Sequence, residues 1–235
     1  VEAHYNLGNV LKEQGKLDEA VDSYNIAIKL KPNDPVAYSN LGAAFQESGK
    51  LDEAVASYKK SIALKPDYAV AHSNLGNVLK EQSKLGEATI SYNRAITLKP
   101  DYAMAHSNLG NVLKEQGRLD EAVISCHRAI SFKPDYAEAY NNLGATLQNQ
   151  CKLDEAIVSY DNAIKFKPDC ISAHINKALA LLLTENFEEG WKEYEWRLHT
   201  KYCTSATFQK PRWDGSPLNG KSILVYTEQG FGDTI

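Results

Sequence analysis

Asparagine recurs at Asn6, Asn40, Asn74, Asn108, Asn142 and Asn176, each 34 residues from the last. Three more, Asn9, Asn77 and Asn111, follow three positions on, where other copies carry Ala43, Ala145 and Leu179. Asn is about 0.5 kcal/mol worse than Ala inside a helix, so its retention asks for a reason. Its carboxamide offers two N–H donors and one acceptor oxygen. Stacked at one helix diameter, about 10 Å, such a column could meet the N–H and C=O of an extended chain. That chain rises about 3.3 Å per residue, so the column would grip every third residue and read backbone rather than side chains. The same amides could instead bond to the neighbouring copy and serve the scaffold alone.

Other residues of chemical interest carry less. His4, His72, His106 and His174 form a second column, completed by Tyr38 and Tyr140. Metal ligation needs donors about 2 Å from one ion, whereas residues one copy apart lie about 10 Å from each other. Exchange with Tyr points to a packing slot, and we expect no metal site. The stretch GSPLNGKS, Gly215 to Ser222, matches the phosphate-binding pattern GxxxxGK[ST]. A phosphate cradle needs a strand before that loop and a helix after it. Here the β-like run SILVY follows the loop, and Pro217 removes a donor, so nucleotide hydrolysis is not expected. Cys126, Cys151, Cys170 and Cys203 lack ligand spacing and read as reduced thiols of a cytoplasmic protein.

The totals exclude several classes. At 43% hydrophobic and 24% charged residues the 235-residue chain has the composition of a folded protein rather than a disordered one. A net charge of -4 with interspersed signs gives no general attraction to nucleic acid or to an acidic membrane. No run approaches the roughly 18 apolar residues of a membrane span. The chain opens at Val1 rather than Met, from which we expect a piece of a longer protein.

The elements that must position the amides follow from the same period. Cutting at Val1, Pro35, Ala69, Ala103, Ala137 and Ile171 yields five close copies and a divergent sixth. Each close copy has an early Leu-Gly pair, such as Leu7-Gly8, a small residue twelve positions later, such as Ala20, and a closing proline, such as Pro32. Apolar residues three and four apart, as in Leu7, Val10 and Leu11, mark one helical face. Gly15, Gly49 and Gly117 stand where a first helix ends, and the LDEA after them opens a second. Proline then turns the chain into the next copy. A lone helix pair cannot bury its apolar face, so copies must stack.

This pattern resembles the tetratricopeptide repeat family over residues 1–198. The resemblance implies an all-α fold, a right-handed superhelix of helix-turn-helix repeats whose first helices line a concave groove. The expected repeats are residues 1–34, 35–68, 69–102, 103–136, 137–170 and a divergent cap at 171–198. They are followed by a linker at 199–221 and the start of a truncated α/β domain at 222–235. In that geometry the Asn column faces the groove. It resembles the asparagine ladder of O-linked N-acetylglucosamine transferases, which holds protein substrates by their main chain. Some members of the family clamp a terminal carboxylate with Lys and Arg in the groove; here those positions read Tyr5, Ser39, Ser73, Ser107 and Asn141, and the clamp is missing.

The sixth copy is greasy where a cap should be polar. Leu179, Leu182, Leu183, Trp191 and Trp196 are expected to dock a partner, since exposed apolar surface of this kind marks an interface. The motifs YEWR, PRWDGSPLNGK and EQGFGD resemble bacterial proteins in which such repeats lead into a glycosyltransferase-like domain. In related enzymes an aspartate after the loop glycine is proposed as a base, and Asp233 matches it, though an N-cap role fits Asp233-Thr234 as well. A lone strand at Ser222–Tyr226 cannot satisfy its backbone, so we expect it unstructured, packed on the last repeat, or paired with another copy.

The leading expectation is a recognition arm binding protein or extended peptide, itself without catalytic function, metal or cofactor. The resemblance implies a sugar nucleotide for the whole protein and the chain's own glycosyltransferase domain as a partner. The alternative is a scaffold that assembles with itself or a fixed partner, unrelated to sugar transfer.

Overall fold

The computed structural model describes residues 1–200, whose regular secondary structure is helical throughout, joined by short turns. In chain order the helices are α1 (Glu2–Glu13), α2 (Leu17–Leu30), α3 (Pro35–Glu47), α4 (Leu51–Leu64), α5 (Ala69–Glu81) and α6 (Leu85–Leu98). They continue as α7 (Ala103–Glu115), α8 (Leu119–Phe132), α9 (Ala137–Asn149), α10 (Leu153–Phe166), α11 (Ile171–Leu183) and α12 (Phe187–Tyr194). A short 3-10 turn, Glu195–His199, follows.

Within each pair the two helices approach at a glycine. A Cβ on Gly8, Gly76 or Gly144 would lie 2.6–2.7 Å from a ring carbon of Tyr24, Tyr92 or Tyr160, closer than any real contact. Each of those rings is buried. The small residue at Ala20, Ala54, Ala88, Ala122 and Ala156 is likewise fully buried. Together they let the pair close around one buried aromatic.

The first helices end in a left-handed residue. Gly15, Gly49 and Gly117 adopt φ of 74–76°, as the sequence suggests, but Ser83, Cys151 and Glu185 take φ of 60–62° at the same place. A left-handed side chain costs about 1 kcal/mol or more, so the turn is imposed by packing of the flanking helices, not by glycine. The start of α3 is the one capped by a side chain among these helices: Asp34 accepts from the amides of Val36 and Ala37 ahead of the Pro35 first turn.

Repeats stack in chain order. Each second helix packs on the first helix of the next repeat, and first helices also touch one another from α1 through α11. Among the described residues no second helix touches another second helix. The stack is therefore tighter along the odd-numbered helices, and these line its concave side.

The terminal pair departs from the rest. Where the five close repeats put Leu7, Leu41, Leu75, Leu109 and Leu143, the sixth puts Lys177, and it is only 8% exposed. Its ammonium bridges Asp161 on α10 at 2.9 Å and Glu189 and Glu193 on α12 at 3.2 and 3.4 Å. Burial alone would lower its pKa, but these carboxylates hold it above the ordinary lysine range. A charge in a leucine slot thus fastens the short α12 onto the stack.

Candidate functional site

The asparagines expected to form a ladder lie on the concave, odd-numbered helices, and most are half-buried. Four of them donate to the preceding repeat. Asn40 gives its Nδ2 to the Tyr5 hydroxyl (2.9 Å) and to Asn9 Oδ1 (3.0 Å). Asn108 donates to Asn77 Oδ1 (2.9 Å), Asn142 to the Ser107 hydroxyl (3.0 Å) and carbonyl (3.4 Å), and Asn176 to Asn141 Oδ1 (3.1 Å). Asn6 is exposed at the first repeat, and Asn74 makes no hydrogen bond with a described residue.

This division of labour is not visible in residue types. Each of the four amides spends its nitrogen on the scaffold, and none of their four Oδ1 atoms accepts from a described residue. At Asn40 and Asn142 the nitrogen already makes two contacts. The spare capacity of the wall is therefore mainly in acceptors aligned along the concave side, narrower than the two-handed grip that residue chemistry suggests.

The second column has a structural duty that sequence reasoning missed. Tyr24 and Tyr92 are buried phenols, and they donate to Asn9 Oδ1 (2.8 Å) and Asn77 Oδ1 (2.7 Å). Where the second Asn is absent, in repeats carrying Ala43 and Ala145, the phenol turns to the next turn's glutamine. Tyr58 reaches Gln46 Oε1 at 3.4 Å and Tyr160 reaches Gln148 Oε1 at 2.8 Å. Each buried phenol therefore has an acceptor, Asn at one position or Gln three residues on. The signal was present, since Asn pairs with Lys in one set of repeats and Ala with Gln in the other. Burial raises these phenols, that of Tyr24 to about 12 and those of Tyr58, Tyr92 and Tyr160 further.

A rim of paired polar groups runs beside the amides. Lys12 bridges Glu47 of the next repeat at 2.9 Å, and Gln46 donates to Glu81 in the same register. The tyrosines that open α5, α7 and α9, Tyr68, Tyr102 and Tyr136, each take a lysine over the ring: Lys65, Lys99 and Lys133, at 4.7–5.4 Å from the centroids. The histidine column is tied to the backbone. His72, His106 and His174 each place Nε2 2.9–3.1 Å from the carbonyl of the proline that closes the previous repeat.

The expected docking residues divide. Leu183 and Trp191 are 63% and 58% exposed, and Leu179 is also exposed. Leu182 packs toward Gly190, where an added Cβ would meet its side chain at 2.9 Å. Trp196 stacks on His174 with centroids 3.9 Å apart, while Glu193 holds His174 Nδ1 at 2.5 Å. Trp196 is thus engaged in fastening the end of the stack. Cys126, Cys151 and Cys170 are free thiols. Asp233, the GSPLNGKS motif, Cys203 and the strand expected at Ser222–Tyr226 lie outside the described residues. No described helix is long and apolar enough to cross a membrane.

Known proteins agree with this geometry. A family model described as TPR repeat matches residues 8–49, 44–83, 76–117 and 110–150, and one described as Tetratricopeptide repeat matches 137–170. Protein FlbA of Caulobacter vibrioides is 39% identical over 61 residues, which are 25% of this chain and 10% of FlbA. The chain thus matches about a tenth of that relative's length. The crystal structure of MamA superposes with a TM-score of 0.61 at 28% identity, covering 68% of this chain and 94% of MamA. PilW, a type IV pilus biogenesis factor, reaches a TM-score of 0.77 at 18% identity over 87% of this chain and 94% of PilW, a likeness of fold. Repeat period, helix pairing and family match together place this chain in the tetratricopeptide repeat family, as a module for protein–protein interaction or peptide binding.

Proposed function

We propose that the concave side binds an extended polypeptide through its backbone, with Asn40, Asn74, Asn108, Asn142 and Asn176 as the contact row. The observation that carries this reading is the set of unclaimed carboxamide oxygens on neighbouring first helices, held in place by their own Nδ2 bonds. Oxygens fixed in this way lose little entropy on accepting a backbone N–H, which favours preorganised binding. At about 1 kcal/mol each, these bonds do little more than offset an association cost of about 4 kcal/mol or more. The groove therefore binds at micromolar strength or weaker and releases readily. Leu183 and Trp191 at the far end are the surface for a second contact.

The wider setting we propose is the recognition arm of a cytoplasmic glycosyltransferase-like protein. It rests on YEWR, PRWDGSPLNGK and EQGFGD in order; in that setting the catalytic candidate is Asp233 and the cofactor a sugar nucleotide. The test of the groove is the variant Asn74→Ala/Asn108→Ala/Asn142→Ala, titrated with labelled extended peptides. Binding is expected to vanish while helicity at 25 °C is retained, with a lower melting temperature because Asn108 and Asn142 also bond between repeats. Unchanged affinity in the triple variant refutes the reading.

A further inference from the structure

The fourth repeat breaks the pattern of its neighbours at two places, and both leave polar groups without partners. In repeats one and three the second-column oxygen accepts twice: Asn9 from Tyr24 and Asn40, Asn77 from Tyr92 and Asn108. In repeat four the phenol position is Cys126, which is buried and offers no comparable donor. The amide of the following repeat, Asn142, turns to Ser107 instead. Asn111 Oδ1 and Nδ2 consequently make no hydrogen bond with a described residue, although Asn111 is half-buried.

One turn further along the same face of α7 stands Lys114. Its counterpart Lys12 bridges the Glu47 carboxylate 35 residues on, and Lys80, though it makes no direct ion pair with a described residue, has the carboxylate of Glu115 in that register. For Lys114 that position is Asn149, which is neutral. Lys114 is half-buried and has no ion pair with a described residue. Burial lowers its pKa, opposed by Glu115 and reinforced by Lys80, as befits an ammonium that has lost water without gaining a close counter-ion.

We propose that Asn111 and Lys114 form a carboxylate subsite in the groove, selecting an extended peptide with an acidic side chain opposite repeat four. The inference rests on the groove reading above and adds a preference to an otherwise sequence-blind surface. A carboxylate supplies acceptors alone, so it takes the Lys114 N–H donors and an Asn111 N–H together. In repeats one and three the second-column amide is already engaged, Asn9 by Tyr24 and Asn40 and Asn77 by Tyr92 and Asn108, and the lysine beside it has a carboxylate in register, so those rows gain less from an acidic ligand.

The experiment uses three fluorescein-labelled Thr/Ser peptides: one with a central Glu and an amidated terminus, one with Gln in its place, and the Gln peptide with a free carboxyl terminus. Fluorescence anisotropy on the whole chain should show the Glu peptide binding about fivefold to tenfold more tightly than its amidated Gln partner at low salt. Lys114→Gln should abolish that preference. Asn149→Glu should abolish it too, by handing Lys114 an internal carboxylate as Glu47 does for Lys12. If the free-terminus peptide matches the Glu peptide, the subsite takes a terminal carboxylate as well; if it matches the Gln peptide, only a side-chain source is accepted, and both results support the subsite. Equal binding of Glu and Gln peptides, or a preference surviving in Lys114→Gln, overturns it and leaves the groove standing. Failure of every peptide to bind overturns both.

Discussion

Asn77 and Asn111 occupy the same position in adjacent repeats, with the same residues around them in sequence, yet the structure assigns them different energetic roles. Replacing Asn77 by Ala removes the acceptor from the hydroxyl of Tyr92, a residue 1% exposed, which bonds at 2.7 Å. A buried hydroxyl left unsatisfied costs about 1–3 kcal/mol. The Asn108 bond at 2.9 Å is lost as well, but that amide is half-buried and recovers part of its bonding from water. Ala gains back about 0.5 kcal/mol of helix propensity. The net expectation is a loss of about 2 kcal/mol, or a urea midpoint lower by about 1 M for a slope near 2 kcal/mol/M. Asn111→Ala removes no phenol acceptor and should leave the midpoint unchanged or slightly raised. Tyr92→Phe in the Asn77→Ala background should recover part of the loss, a coupling of about 1 kcal/mol in the double-mutant cycle. Urea unfolding followed by circular dichroism measures all four. Equal destabilisation by Asn77→Ala and Asn111→Ala would refute the assignment of the second column to buried phenols.

Two further outcomes follow from packing and titration. Gly76→Ala places a Cβ 2.7 Å from the Tyr92 ring, whereas Gly86→Ala meets nothing within 4 Å; thermal melts should show the first losing about 1–3 kcal/mol through overpacking and the second gaining up to about 1 kcal/mol from helix propensity. The four buried phenols have folded pKa values above the unfolded value of about 10, Tyr24 at about 12. The native state therefore holds more protons than the unfolded chain across that interval. The phenols' contribution to stability should be constant below about pH 10 and fall progressively as pH rises through 10 to 12, read as urea midpoints against pH. Tyr24→Phe should flatten part of the fall, and an unchanged profile would contradict it.

The sequence on its own determined the helix pairs, their stacking and the face carrying the asparagines. A 34-residue period with Leu-Gly, Ala and Pro at fixed places leaves one way to bury every apolar stripe. Close approach at Gly8 and its counterparts was likewise readable, because a missing side chain is a local fact. What each polar group is bonded to was not. Asn9, Asn77 and Asn111 are the same residue in nearly the same words, and only the partner helix and the next repeat decide that two serve buried phenols and one does not. Lys177 in a leucine slot reads as an error until Asp161, Glu189 and Glu193 converge on it from two other helices. Periodicity records which side of a helix is apolar. A hydrogen bond depends on the distance between atoms far apart in sequence, and tertiary packing alone sets that distance.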